Sequence, residues 1–201
     1  NAWLFSRSAF LHHVIGWTCV VAAVFPLLHA LQPRRAAWNV GFALTFVACS
    51  GAKTTDLMSN QISSVTSDTK IVTVTIGGND AGFSSVIISC VTLGCSSAIS
   101  SAQNYIRNTL PGRLNTVYSA IASRAPGAQV VVLGYPRLFS SSGCLGTTGI
   151  SSSERTALNQ TADLLRDTTR TRAQAYGFTF KDAIPPFTGH AVCAGSAWLN
   201  G

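Results

Sequence analysis

Apolar, β-branched runs alternate along this chain with segments whose apolar positions recur at helical spacing. Lys70-Ile71-Val72-Thr73-Val74-Thr75-Ile76 reads as a buried strand. Gln129 to Leu133 is a continuous apolar run, the pattern of a strand buried on both faces of a parallel sheet. Phe42-Ala43-Leu44-Thr45-Phe46 is another such run, and Phe178-Thr179-Phe180 begins the last strand. Between them the spacing predicts a helix from Ser97 to Thr109, ended by Pro111. A second runs from Arg113 to Arg124, with Leu114, Val117, Tyr118 and Ile121 on one face, and Pro126-Gly127 breaks it. Ser151-Ser152-Ser153-Glu154 offers capping chemistry to a long helix reaching about Ala175, and Gly177 fits its C-terminus. This alternation predicts an α/β fold, a three-layer α/β/α sandwich around a central parallel sheet, with the first strand unassigned. Ligands of such sheets bind beyond the carboxyl ends of the strands.

Two of those strand ends carry candidate chemistry. The strand at 70–76 stops abruptly at Gly77-Gly78-Asn79-Asp80-Ala81-Gly82-Phe83. Paired glycines let the backbone turn sharply, and an Asn there can aim its side-chain amide at a negative oxygen. A plain polar strand-to-helix turn would also fit these residues. The run at 42–46 leads into Val47-Ala48-Cys49-Ser50-Gly51-Ala52, where small residues present a backbone N–H. Gly51 and Asn79 can therefore supply two donors to one oxyanion, as acyl transfer requires.

Four segments together resemble the SGNH (GDSL-type) hydrolase family, in particular secreted actinobacterial lipases and esterases. They are FVACSGAKTTD (46–56), VTIGGNDAGF (74–83), VVLGYPRLF (131–139) and FTGHAVCAGSAWLNG (187–201), and the resemblance covers roughly residues 43 to 201. It implies a flavodoxin-like sheet, hydrolysis of carboxylic esters such as acylglycerols or phospholipids, no metal and no other cofactor. It maps the oxyanion-hole Gly onto Gly51 and the Asn onto Asn79. It also implies two disulfides, Cys90–Cys95 and Cys144–Cys193, and for Cys49 a partner further upstream, a place Cys19 can take.

The family's nucleophile and base blocks are not found. No Gly-Asp-Ser occurs; Ser6-Arg7-Ser8 stands about where it belongs, which makes Ser8 the candidate nucleophile and equally an ordinary polar residue near the terminus. His190 is the only histidine in the matched part and the candidate base. Phe187, not an acid, stands three residues before it, and relatives place this segment in a disulfide loop. Asp182 is a further conceivable partner for a histidine that nothing in its spacing selects. The expectation is an ester hydrolase with its oxyanion half present and its reacting half impaired. The alternative is a non-catalytic binding module that keeps the cleft.

Residues 1–42 form an atypical apolar segment, uncharged from Ala9 to Pro33 with neutral histidines. A signal sequence or membrane anchor, a core helix, and a frameshifted stretch foreign to the fold are the readings open for it. The domain proper is expected at 43–201, truncated at its C-terminus. At 201 residues with 47% hydrophobic and 10% charged side chains, the chain is long enough for one full core. Six cysteines point to an oxidising compartment and a secreted, extracellular location, and no CxxC or paired His/Cys spacing suggests a metal. The net charge of +7 is scattered, apart from Arg34-Arg35 and an Arg166/Arg170/Arg172 group expected on a solvated helix face. Without an aromatic-interleaved basic patch, nucleic acid is excluded as a partner. An ester substrate, mild attraction to anionic lipid surfaces and a monomeric state are the expectations that remain.

Overall fold

The computed structural model describes residues 19–22, 43–92, 94–140 and 149–199. Five strands form one sheet in the order β2-β1-β3-β4-β5. They are β1 (Cys19–Ala22), β2 (Thr45–Phe46), β3 (Ile71–Thr75), β4 (Gln129–Leu133) and β5 (Thr179–Lys181). β3, β4 and β5 are parallel, with Val72 opposite Val130 and Val132 opposite Phe180. β1 pairs antiparallel with both β2 and β3, so it alone runs against the others. The sheet is therefore parallel in its helix-connected half and mixed at β1. That strand lies within the N-terminal stretch where the apolar pattern is uniform and shows no period.

Helices follow the strands. The chain leaves β2 through a turn into α1 (Thr54–Asp56), which continues as a π turn at Leu57–Gln61 and a 3-10 turn at Ile62–Ser64. After β3 come α2 (Phe83–Thr92), α3 (Ser96–Asn108) and α4 (Leu110–Arg124); α5 (Ser152–Ala175) joins β4 to β5, and α6 (Ile184–Phe187) follows β5. The helix expected before Pro111 does end there, at Asn108, and Pro111 itself belongs to the next helix. It sits in the first turn of α4, where its missing N–H has no intrahelical partner to lose. Leu110, Leu114, Val117, Tyr118 and Ile121 are buried along that helix. Their spacing puts them on one face, packed against Val72, Val74, Val130 and Val132 of the sheet and Leu165 of α5 in the main core.

A second core forms around the Cys90–Cys95 disulfide and gathers Val86, Ile99, Phe139, Leu158 and Val192. It carries the loop that follows β4 and the C-terminal segment, which meet in a parallel bridge between Phe139 and Val192. The capping box at Ser151 and Glu154 is formed. Glu154 also accepts from the Cys95 N–H at 3.1 Å, tying the start of α5 to the disulfide loop. Its bonds from the Ser151 hydroxyl and N–H, and then from Cys95, hold its carboxyl below the usual carboxylate range.

Candidate active site

β2, β3, β4 and β5 run in one direction, so the turns after them gather at one edge of the sheet. The first of these turns passes through Gly51 at φ +77°, a left-handed conformation that favours glycine. The second begins at Gly77, with φ +112°, and folds back through bonds from Ala81 N–H to Gly77 O and from Phe83 N–H to Gly78 O.

Side chains lock the two turns together. The Asn79 Nδ2 donates to the carbonyl of Ala52 at 3.0 Å, which fixes the plane of the amide one residue from Gly51. The Asp80 carboxylate accepts from the Thr54 N–H at 3.0 and 3.2 Å and from the Thr54 hydroxyl. Thr54 is buried, so this charge-assisted contact forms at the foot of α1 with little water around it. Lys53 N–H is held by Asp56 Oδ2 at 2.8 Å, completing the start of that helix. Gly51 and Asn79, 28 positions apart in the chain, thus come to one place. The carboxylate lock of Asp80 was not foreseen from the sequence, although the Asp of Gly-Gly-Asn-Asp and the Thr opening a helix were its visible halves.

His190 lies on the segment after α6. Its Nδ1 is 2.6 Å from the Ser196 carbonyl, which can only accept, so in the neutral ring Nδ1 carries the proton and Nε2 the lone pair. Trp198 stacks on the imidazole at 3.7 Å between ring centres and 5° between planes, and Phe187 meets the same indole edge-on. Asp182 is engaged elsewhere, accepting from the Ile184 N–H at 2.9 Å and pairing with Arg166 at 3.5 Å. Arg166 and Arg170 also pair with Asp167. The expected solvated face of α5 is therefore, in part, an ion-pair cluster anchoring the end of β5. Burial opposes the charge on Arg166, and the bond to Asp167 together with the charges of Asp167, Asp182 and Asp163 outweighs it, raising its pKa.

Ser8 and Cys144 lie outside the described residues. Cys90 and Cys95 are bonded as the resemblance implies. Cys193 is disulfide-bonded, and Cys49 carries a free, exposed thiol, so the pairing considered for it is not made. Among the described residues no group of three or more His, Cys, Asp or Glu converges to hold a metal, and no helix is long and apolar enough to cross a membrane.

A sheet parallel in its helix-connected half, with glycine and asparagine turns tied together at its carboxyl edge, is the architecture of the SGNH class. The chain belongs to the GDSL-like Lipase/Acylhydrolase family, whose profile matches residues 16–201. It is 48% identical over 160 residues to Lipase 1 of Streptomyces coelicolor, covering 77% of this chain and 58% of that protein. It is 45% identical over 168 residues to a lipase of Streptomyces rimosus, covering 82% and 62%. The chain thus spans about three-fifths of the length of the curated relatives it matches. Among solved structures, the extracellular lipase of Streptomyces rimosus superposes with a TM-score of 0.73 at 46% identity, covering 77% of this chain and 67% of the other. The phospholipase A1 of Streptomyces albidoflavus superposes at 0.74 and 44%, covering 77% and 66%.

Proposed function

We propose that this chain is an extracellular carboxylic ester hydrolase acting on lipid or short acyl esters, with Gly51 N–H and the Asn79 amide as the donors to the tetrahedral oxyanion. The observation that carries this reading is the bond from Asn79 Nδ2 to Ala52 O, which holds the amide beside the Gly51 turn. Preorganised donors of this kind act on charge that appears only in the transition state, so they lower the barrier without tightening the ground state. Ser8 enters as the nucleophile and His190 as the base. The tautomer set by Ser196 gives His190 a basic Nε2, as a general base needs, while the stacked Trp198 equally suits a residue that organises its loop. Ser6-Arg7-Ser8 in place of Gly-Asp-Ser makes turnover slower than in a member with the full motif.

Ile88 and Val91 on α2 and Trp198 are each about half exposed; with the net charge of +7 they suit contact with an anionic lipid surface. The disulfide-bonded Cys90, Cys95 and Cys193 suit an oxidising, extracellular location. The test is hydrolysis of a chromogenic short-chain ester by the chain and by Ser8→Ala and His190→Ala. Turnover lost in both variants supports the reading with both residues in their roles. Turnover kept in His190→Ala assigns that histidine to its loop. Binding of a non-hydrolysable ester analogue with no turnover overturns the reading in favour of the binding module.

A further inference from the structure

We infer that Tyr135 is a positioning residue for Asn79, an inference that rests on the oxyanion reading above. Tyr135 follows Gly134 at the end of β4, and its ring packs on the main core. Its hydroxyl accepts the N–H of Gly78 at 3.2 Å, across 57 positions of sequence. The bonds within the turn run from residues 81, 82 and 83 back to Gly77, Asn79 and Gly78, and none of them uses that N–H. Gly78 is buried, so its donor needs a partner from elsewhere in the protein, and the tyrosine provides one.

The fit is steric as well as polar. A Cβ on Gly78 would lie 3.0 Å from Cζ of Tyr135, and one on Gly77 would lie 3.2 Å from Cδ1 of Leu110. A side chain at Gly78 would press on the Tyr135 ring and one at Gly77 on Leu110, and Gly77 at φ +112° also needs the conformational freedom of glycine. Asn79 is the next residue. The Gly78 N–H is thus tied to Tyr135 and the Asn79 amide to Ala52, so two successive residues of the turn are each held by a distant strand end. A donor held within a fraction of an ångström is what transition-state stabilisation demands.

Tyr135→Phe keeps the ring and removes the acceptor. In amide hydrogen exchange by NMR, the Gly78 N–H of the variant exchanges at least tenfold faster, and the Asn79 side-chain amide resonances shift. The Val72 and Val74 amides of β3 keep their protection, which reports an intact sheet. In ester hydrolysis kcat falls about tenfold with KM within twofold. Gly78→Ala, which pushes the turn off the same ring, produces the same Asn79 shift. Unchanged Gly78 exchange and unchanged Asn79 resonances in Tyr135→Phe overturn the inference, whatever the activity. An Asn79→Ala control with undiminished turnover instead overturns the oxyanion reading and leaves the exchange result to decide the clamp.

Discussion

The turns at 50–54 and 77–83 and the segment at 182–199 both serve the carboxyl edge of the sheet, and they are held in different ways. The first pair is fixed by side chains reaching across the chain, Asn79 to Ala52, Asp80 to Thr54 and Tyr135 to Gly78. The C-terminal segment is held by near neighbours around His190 and by separate anchors to the rest of the fold. His190 meets Ser196, the Trp198 N–H returns to the His190 carbonyl at 2.9 Å, and the indole lies flat on the imidazole. Its longer-range anchors are the Arg166–Asp182 ion pair, the disulfide at Cys193 and backbone bonds from Val192 N–H to Leu138 O and from Ser140 N–H to Val192 O, with the second core beneath. Polar side-chain locks fix the direction of a donor. Backbone bonds, a disulfide and ring stacking fix the path of a loop rather than the direction of one donor. The Gly51 and Asn79 turns are accordingly the less tolerant region.

Thr54→Val breaks the comparison most sharply. It deletes a buried hydroxyl that donates to Asp80 while keeping size and backbone. The expected loss is about 2 kcal/mol of stability in urea unfolding, because a hydrogen bond to a charged group is removed. The same variant loses ester turnover, since the Asn79 turn shifts with Asp80.

Glu154→Gln acts beneath the other region, at the second core. Near neutral pH it costs about 1 kcal/mol, the usual worth of a helix-terminal cap. The sign follows from its depressed carboxyl pKa: the stabilisation is present above the unfolded value near 4.3 and is lost as pH falls through the folded one. Unfolding curves of the two proteins therefore separate at pH 7 and converge in acid. Smallest of all, His190→Ala removes one side-chain bond and one ring stack on a half-exposed loop. In stability it costs about 0.5 kcal/mol, read as a change in Trp198 fluorescence, separately from the loss of turnover expected of the proposed base.

Legibility in the sequence followed the range of the interactions. The β-branched run of β3, the amphipathic face of α4 and the capping box of α5 are local patterns, and each appears where its residues place it. α2 was not foreseen. Its Val86-Ile87-Ile88 stretch favours strands, and the Cys90–Cys95 bond and the packing of Val86 and Cys90 into the second core accompany its helical form. The antiparallel course of β1 was equally hidden, since a uniformly apolar segment carries no register. Gly51 and Asn79 were legible as strand-end residues. The groups that orient them, Thr54, Asp80 and Tyr135, were not, because their roles exist only once distant turns are brought together.

The most direct measurement is steady-state hydrolysis of a chromogenic ester by the chain and by Asn79→Ala. If Asn79 donates to the oxyanion, kcat falls about 10²- to 10³-fold with little change in KM, the mark of a donor that acts in the transition state. Equal kcat in the two proteins would contradict that role and remove Asn79 from the chemistry.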